Sequence, residues 1–348
     1  MAAALLVGGC GTVGTQSIER DRLGYVNALG ESWKEQTLLN IVKLRYMDTP
    51  VFLDVSSLIS SYEVARQLSL TANVFPNASA GNNQGLGASG TFTDKPTISY
   101  TPITGERYMN SLIRPIPPQA IFAMIEAGHP ADFLLRATVR AINAVYNYSV
   151  SQDRARAEDP RFSEILRAMR AIQQAGALSV RVEKNESRES TFVGLRSGVN
   201  KDADESIRFL KDALGISPDN DEPLLVFGAQ RRNSAQIAVL TRSVQEILTE
   251  LSSGVEVPPS DAAEGRAVPM LLPRNPAPGA ARYPPMRVQS TDERPSAAYA
   301  AVQYRGRWFW IDDRDLESKR MIMFLTVFSS LAETGTAPQV PLITIPAR

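Results

Sequence analysis

The chain has 348 residues, of which 43% are hydrophobic and 21% are charged, so it can bury the core of one large domain or two smaller ones. Lysine and arginine together number 37, as do aspartate and glutamate, and the formal net charge is zero. Without net positive charge the chain lacks the long-range attraction that drives nucleic-acid binding, so we expect no nucleic-acid partner.

The first ten residues predict a signal segment followed by a lipid anchor. A short apolar run ends at two glycines and then at Cys10, the only cysteine of the chain. The segment Leu6-Val7-Gly8-Gly9-Cys10 resembles the bacterial lipobox. This resemblance implies removal of residues 1–9 and lipid on Cys10. Gly11 stands where an aspartate keeps such proteins at the inner membrane, so the resemblance favours the periplasmic face of the outer membrane.

The single cysteine leaves one alternative, a buried Cys10 on an N-terminal strand. In either case the mature chain forms no internal disulfide, so its stability comes from core burial. Residues 10–30 begin with glycine and threonine, and we predict that they form a flexible tether between the lipid and the folded region.

Residues 31–47 predict the first helix. Ser32 followed by Glu35 is typical of a capping box, and Asp48-Thr49-Pro50 ends the helix. Its inward positions, at helical spacing, are Leu38, Ile41 and Val42. Residues 51–62 are predicted to be extended, or to form a short strand that continues into a second helix.

Residues 66–101 predict a long β-hairpin. Polar and apolar residues alternate over 67–74, a stretch rich in Gly, Asn, Ala and Ser without charge occupies 76–90, and strand composition resumes over 89–94 and 97–100. One interpretation is a surface hairpin or a disordered loop. The other is an amphipathic arm that pairs with a neighbouring subunit or enters a membrane.

Residues 105–176 are predicted to be mainly helical. Proline fits the first turn of a helix, so the proline pair at its start predicts a helix over 117–126. The Gly128-His129-Pro130 break separates it from a second predicted helix, Ala131–Tyr148, in which apolar residues recur at helical spacing. A third amphipathic helix is predicted over Pro160–Gln174.

From residue 177 the pattern becomes a mixture of short strands and helices. Extended patterns bounded by turn residues predict strands at 177–182, 191–196, 223–227, 236–240, 298–304, 307–311 and 340–345. Helical patterns with caps and stops predict helices at 204–214, 316–333 and from Thr241 or Ser243 to Gly254. Residues 255–285, rich in proline, alanine and glycine, are predicted to be a linker or a long surface loop.

Helix-rich and strand-rich stretches are partly segregated, so we predict the α+β class, with a helical N-terminal half that carries the hairpin and a mixed α/β C-terminal half. The predicted regions are a signal segment (1–9), a tether (10–30), a mainly helical region (31–176) and an α+β region (177–348). The most apolar internal run, Met321–Leu331, is about half the length that spans a bilayer and is predicted to be a core helix.

The sequence contains few candidate catalytic residues. The one histidine, His129, lies in a predicted helix–helix turn, where a structural role is the commoner one. A Gly-x-Ser-x-Gly elbow, a phosphate-binding glycine loop and a set of zinc ligands are all missing from the sequence. We therefore predict no enzyme, no metal and no cofactor.

The densest polar cluster follows an aromatic strand near the C-terminus. Trp308 and Trp310 lie on one face of that strand, with Asp312 and Asp313 after them. Aromatic and acidic residues together could bind a carbohydrate or a cation, or act as acid and base. The alternative is that the tryptophans are buried and the carboxylates favour the start of the following helix. A further acidic pair, Glu246 and Glu250, is predicted to face solvent.

Three runs carry a resemblance to a family of uncharacterised proteobacterial outer-membrane lipoproteins, and it extends over most of the mature chain. They are Leu38–Val55, Pro96–Gly105 and Tyr304–Asp313. The resemblance implies an address in the cell envelope, and it implies no catalytic residue.

These observations predict a lipid-anchored envelope protein with a structural or protein-interaction role, as a subunit of a larger outer-membrane assembly. Its expected partners are the membrane, through lipid on Cys10, and other envelope proteins or copies of itself. One alternative is a ring or pore-forming lipoprotein that uses hairpin 66–101. A second is a carbohydrate-binding module or hydrolase built around Trp308, Trp310, Asp312 and Asp313.

Overall fold

The computed structural model describes residues 15–59, 62–73, 83–94, 97–151, 154–185, 188–267 and 285–332. The fold belongs to the α+β class, as predicted. The chain forms two compact units, of which the smaller contains Val51–Ile103 and the larger contains the described residues on either side of that segment. Across the described ranges, no helix is both long enough and apolar enough to cross a membrane.

The helices are α1 (Thr15–Arg45), α2 (Gly105–Tyr108), a π-helical turn (Met109–Ile113), α3 (Pro118–Glu126), α4 (Ala131–Thr138), α5 (Pro160–Gln174), α6 (Lys201–Leu214), α7 (Val244–Ser252), α8 (Pro259–Ala263) and α9 (Leu316–Ala332). The strands are β1 (Leu53–Ile59), β2 (Tyr62–Asn73), β3 (Asn83–Asp94), β4 (Thr97–Pro102), β5 (Val139–Ile142), β6 (Val145–Tyr146), β7 (Ser149–Ser151), β8 (Arg154–Arg156), β9 (Leu178–Asn185), β10 (Arg188–Leu195), β11 (Leu224–Phe227), β12 (Gln236–Thr241), β13 (Gln289–Thr291), β14 (Ala298–Tyr304) and β15 (Arg307–Asp312).

The larger unit contains a sheet in the order β6-β5-β12-β11-β10-β9. Its described neighbours are antiparallel except for β11 and β12, which run parallel. Helix α3 packs against β9, β11 and β12, while α5 contacts both α4 and α6. Phe122 on α3 and Phe162 on α5 are among the largest fully buried side chains, so the core lies where these helices meet their neighbours.

A second sheet of the larger unit has the order β13-β15-β14. Helix α1 packs against β14 and α7, and α9 packs against α7 and the π-helical turn. Where the side chains of α1 are described, from Leu23 onward, the buried ones lie in its C-terminal part, and Leu38, Ile41 and Val42 have no exposed surface. These are the three inward positions that the sequence predicted.

Capping residues set several of the helix ends. Ser243 and Glu246 form a capping box at the start of α7, in which each side chain binds the backbone N–H of the other residue. Gly215 ends α6 at a φ of +59°, in the left-handed region that favours glycine. These local signals explain why the predicted end of α6 at Leu214 and the predicted cap of α7 at Ser243 agree with the structure, whereas α6 begins three residues earlier than predicted, at Lys201.

The smaller unit is a long two-stranded antiparallel ribbon, in which β1 pairs with β4 and β2 pairs with β3. The hairpin that the sequence predicted over 66–101 is therefore confirmed where the structure describes it, and its described strands extend from Leu53 to Pro102. Residues 74–82, in the predicted tip, lie outside the described residues.

Two predictions about the N-terminal half were wrong. The tether predicted over 10–30 is helical from Thr15 onward, and the predicted start at Ser32 lies inside α1. The segment 51–62 contains strand β1 and no second helix. The capping-box pattern at Ser32 misled because the turn that precedes it is itself helical, so no helix terminus exists there for Ser32 to cap.

The helix predicted over Ala131–Tyr148 stops at Thr138, and strands β5 and β6 follow it. Asn143 and Ala144 have φ values of +46° and +65° and form the turn between these strands. The Asn143 side chain holds this turn, since it donates to the carbonyls of Leu214 and Gln236 and accepts from the N–H of Ala238. The region predicted as helical over 31–176 therefore contributes strands to the main sheet.

The larger unit runs through the boundary that the sequence predicted near residue 177, and the smaller unit is inserted before it in the sequence. Within the predicted loop 255–285, the structure contains α8, while residues 268–284 lie outside the described residues. The predicted last strand, 340–345, lies outside them too.

Candidate functional site

Cys10 lies outside the described residues, and the described chain begins close to it, with α1 starting at Thr15. The N-terminal half of α1 exposes apolar side chains. Leu23 is 59% exposed, Val26 is 58% exposed and Trp33 is 36% exposed. Together with Gly30 these residues occupy positions i, i+3, i+7 and i+10, which share one face of a helix. We call Leu23, Val26, Gly30 and Trp33 the α1 stripe.

The α1 stripe lies on a stretch of helix with little stability of its own. A glycine inside a helix costs about 1 kcal/mol relative to alanine, and this stretch contains Gly24 and Gly30. A Cβ atom added to either glycine would meet nothing within 4 Å, so the described chain does not pack on them. Most helices in proteins are stabilised by packing of an apolar face, which makes the α1 stripe a candidate contact surface.

The predicted aromatic segment lies in β15, the central strand of the small sheet. Phe309 and Ile311 point into the core, where Phe309 is 1% exposed, and Trp308 and Trp310 lie on the opposite face and are half-buried. The Arg294 guanidinium lies over the Trp308 ring, 5.1 Å from its centroid. The two tryptophans thus share a face as predicted, and the core uses the other face of the strand.

The carboxylates at the end of this strand and after it all accept hydrogen bonds from nearby residues. Asp312 accepts from the Arg314 guanidinium at 3.1 and 3.0 Å, and this interaction, with the backbone N–H of Arg314, lowers the pKa of Asp312 to about 2. The Asp313 carboxylate accepts from Lys319 Nζ at 2.7 Å. Asp315 accepts from the backbone N–H and the hydroxyl of Ser318 at the start of α9. The structure therefore pairs Asp312 and Asp313 with different cations.

Ligand-binding chemistry at this segment gains no support from these contacts. A cation site needs several oxygen ligands that converge, and here the carboxylates diverge to separate basic groups. Among the described residues, no group of three or more His, Cys, Asp or Glu side chains could hold a metal ion. His129 lies in the turn between α3 and α4, where its ring packs edge-on against Phe324 at 5.4 Å.

We expect that Arg314→Ala raises the pKa of Asp312 from about 2 part of the way toward its ordinary value of 3.8. The backbone bond from residue 314 remains, so the return is incomplete. Because the folded-state pKa lies below the unfolded value, the Asp312–Arg314 pair stabilises the fold above about pH 4, and this contribution disappears as pH falls toward 2. Carboxyl-carbon NMR titration measures the shift. Lys319→Ala is the control, and an equal effect from it would contradict the assignment.

A cluster of aromatic and charged side chains, which sequence reasoning missed, holds the C-terminal end of α1. The Tyr46 hydroxyl donates to Asp261 Oδ2 at 2.7 Å, and the Tyr304 hydroxyl donates to Asp48 Oδ2 at 2.8 Å. The two rings pack edge-to-face at 5.4 Å, and the Arg305 guanidinium lies over both. Burial, together with these carboxylates, raises the pKa of both tyrosines. We call Tyr46, Asp48, Asp261, Tyr304 and Arg305 the tyrosine cluster.

We expect Tyr46→Phe to lower the free energy of unfolding by about 1–2 kcal/mol, because it leaves the Asp261 carboxylate without its hydroxyl donor. Urea unfolding followed by circular dichroism measures the change. Tyr299→Phe is the matched control, since the Tyr299 ring packs under two lysines while its hydroxyl makes no hydrogen bond within the described residues. Equal losses from the two variants would contradict a specific role for the Tyr46 bond.

A second missed feature is a buried ion pair between Arg242 and Glu250, whose side chains are 3% and 9% exposed. The prediction that Glu250 faces solvent was wrong. Arg242 donates to the carbonyls of Arg136, Ala137 and Tyr148, and its Nη2 atom lies 3.7 Å from Glu250 Oε1. Glu250 in turn accepts from the Ser149 hydroxyl and the Val150 N–H, both at 2.8 Å.

This pair joins the end of α4, strand β7 and helix α7. Burial and the nearby Glu250 carboxylate raise the pKa of Tyr148 to about 12. Glu246, the other member of the predicted acidic pair, serves the capping box and binds Arg140 at 3.1 Å. The apolar neighbours Leu248 and Leu251 were the one sequence signal for burial at Glu250, and the partners of Glu250 are too distant in sequence to be read from it.

No family model, curated protein or solved structure matches this chain.

Proposed function

We propose that this chain is a lipid-anchored envelope protein with a structural or protein-interaction role at the periplasmic face of the outer membrane, and that it is not an enzyme. The observation that carries the proposal is the α1 stripe, which begins thirteen residues after the lipobox-like Cys10. Lipid on Cys10 would place the start of α1 near the bilayer, because the five steps along the chain from Cys10 to Thr15 span at most about 18 Å when extended.

General physical principles support both the lipid anchor and the interaction role. Each buried CH₂ group of an acyl chain contributes about 0.8 kcal/mol, so lipid with two chains holds a protein stably at a bilayer. An apolar helix face at the membrane surface suits contact with another envelope protein or with a second copy of the chain. The carboxylates of Asp312 and Asp313, which are candidates for catalysis or ligand binding, pair instead with Arg314 and Lys319.

Mass spectrometry of protein extracted from membranes tests the proposal. The expected mass is that of a chain that begins at Cys10, increased by the mass of the attached lipid. After mild alkaline removal of ester-linked acyl groups, the mass should fall by whole fatty acids. A mass equal to that of the complete, unmodified 348-residue chain would refute the anchor.

A further inference from the structure

The ribbon of the smaller unit keeps one register from its base toward its tip. Ile59 pairs with Thr97 and Tyr62 pairs with Asp94, so three positions separate these pairs on each arm. The pairing then continues without a shift to Asn73 and Asn83. Among the described pairs, the one irregularity lies at the base, between Val55 and Ser57. The described pairs of β1 with β4 and of β2 with β3 thus share one register, and residues 60–61 and 95–96 between them lie outside the described residues.

This register divides the ribbon into an apolar and a polar face, because consecutive residues of a strand alternate between faces. The apolar face carries Val64, Leu68, Leu70 and Ala72 of β2 together with Leu86, Ala88 and Phe92 of β3, along with Tyr62, Gln84 and Gly90; the charged residues Arg66 and Asp94 also belong to it, in the part nearer the base. The polar face carries Gln67, Ser69, Thr71 and Asn73 of β2 together with Asn83, Ser89, Thr91 and Thr93 of β3, along with Gly85 and Gly87. Both strands therefore contribute to the same amphipathic pattern.

Where side chains of the apolar face are described, several of them are exposed and Val55 is half-buried. At the base of the ribbon, Tyr100 is 52% exposed, and Leu53 and Ile98 are each 37% exposed. The register places all three residues on the apolar face. Exposed apolar residues in a continuous row indicate a surface that contacts something other than water.

The ribbon has unpaired edges as well. Within the described ranges, β2 and β3 pair with each other and with no third strand. An isolated two-stranded hairpin is marginally stable in water, and a long edge strand readily accepts the strand of another chain. The edges are thus suited to pair with the same ribbon in neighbouring copies.

Charge and length identify the surroundings of the apolar face. Gln67–Thr93 comprises 27 residues without a charged residue or a histidine, and charged residues return at Glu63, Arg66 and Asp94. A strand that crosses the hydrocarbon core of a bilayer needs about 9–11 residues, so this segment is long enough for two crossings and a turn. A protein interface has no requirement for an uncharged segment of this length, whereas hydrocarbon does.

We infer that the ribbons of several copies pair edge to edge and cross the outer membrane together, with the apolar face on lipid and the polar face lining a water-filled pore. This inference rests on the proposed envelope address. Ribbons in hydrocarbon must pair with neighbours, because each unpaired backbone group there costs several kcal/mol. Bilayer insertion and self-association are therefore one event.

Labelling at neighbouring positions on opposite faces tests the inference in the full, lipid-modified chain reconstituted into phosphatidylethanolamine–phosphatidylglycerol liposomes. Leu68→Cys and Ser69→Cys each introduce a cysteine for an environment-sensitive dye. We expect spin-labelled lipid to quench the dye at 68 and aqueous iodide to quench the dye at 69. Equal quenching by iodide at both positions would overturn the inference, as would equal quenching by spin-labelled lipid.

A matched pair of charge variants provides the functional readout. Leu70→Glu places a charge on the apolar face, and Thr71→Glu places one on the polar face. The wild type and Thr71→Glu should release a small entrapped dye and form oligomers in detergent, whereas Leu70→Glu should lose both properties. Dye retention by the wild type, or equal behaviour of the two variants, would refute the pore.

The proposed function fails in a distinguishable way. The sulphur of a lipid-modified Cys10 is no longer a free thiol and takes up no thiol dye, so unsubstituted protein should remain unlabelled. Labelling of the unsubstituted chain would refute the lipid anchor, independently of the quenching and dye-release results for the ribbon. Conversely, lipid-modified protein that floats with liposomes and retains their dye would leave the anchor intact and refute the ribbon inference alone.

Discussion

Cys10→Ser is expected to abolish incorporation of fatty acid into the protein and to remove the protein from the outer-membrane fraction. Serine lacks the thiol that the lipid attachment requires, and Cys10 is the only cysteine of the chain. The measurement combines metabolic labelling with a clickable fatty acid and separation of the two membranes on a density gradient. Unchanged labelling in the serine variant would contradict the proposal.

Gly11→Asp is the matched companion to this variant. It leaves Cys10 in place, so labelling should persist. The lipobox resemblance implies that aspartate after the cysteine keeps the product at the inner membrane, so the labelled protein should move to that fraction. If both Cys10→Ser and Gly11→Asp lose the fatty-acid label, the loss reflects a general disruption of the lipobox-like segment and not the missing thiol of Cys10.

Arg242→Ala is expected to lower the free energy of unfolding by about 3–5 kcal/mol, because it leaves Glu250 as a buried charge without its cation. It also removes the donor that three backbone carbonyls share. A loss of this size is a large part of the about 5–15 kcal/mol by which proteins are stable, so the midpoint of urea unfolding should fall markedly.

The control for this prediction is Arg140→Ala. Arg140 also pairs with a glutamate of α7, Glu246, at 3.1 Å, but both of these side chains are more than 40% exposed. We expect a loss below about 1 kcal/mol there. In a double-mutant cycle, Arg242→Ala with Glu250→Ala should cost less than the sum of the two single variants. Equal losses from Arg242→Ala and Arg140→Ala would contradict the importance of burial.

The parts of the fold that sequence predicted are those with complete local signals. Helix α5 was predicted at its observed bounds, because a proline marks its start, apolar residues recur at helical spacing along it and Gly176 follows its end. The hairpin of β14 and β15 was predicted from the Arg305-Gly306 turn, where both residues have positive φ. Such elements depend on residues close in sequence, which a single chain displays.

The parts that sequence missed depend on distant contacts. Strands β5 and β6 replace a predicted helix because the Asn143 side chain binds backbone groups 71–95 residues away. Over so short a stretch, the apolar residues fit both the helical period of about 3.6 residues and the strand period of about 2. Local spacing therefore could not distinguish a helix from two strands. The two tyrosine–aspartate hydrogen bonds of the tyrosine cluster join residues that are separated by 215 and by 256 positions. No local sequence pattern predicts such contacts.

The candidate functional residues likewise include some that local patterns predicted and some that only the structure revealed. Strand alternation correctly placed Trp308 and Trp310 on one face and Phe309 on the other. The amphipathic pattern of the ribbon was visible in β2 alone, and the register was needed to show that β3 repeats it on the same face. The α1 stripe escaped prediction because Gly24 and Gly30 weaken the helical pattern over the segment that carries it.

The ribbon is joined to itself at its base, where the Ile103 N–H donates to the Phe52 carbonyl at 2.9 Å. The chain therefore leaves for the ribbon and returns from it at adjacent points. Sequence can be added to or removed from the arms without moving those points apart, as at sites where proteins tolerate domain insertion. The ribbon is thus a module that evolution can lengthen, shorten or exchange while the larger unit keeps its own core.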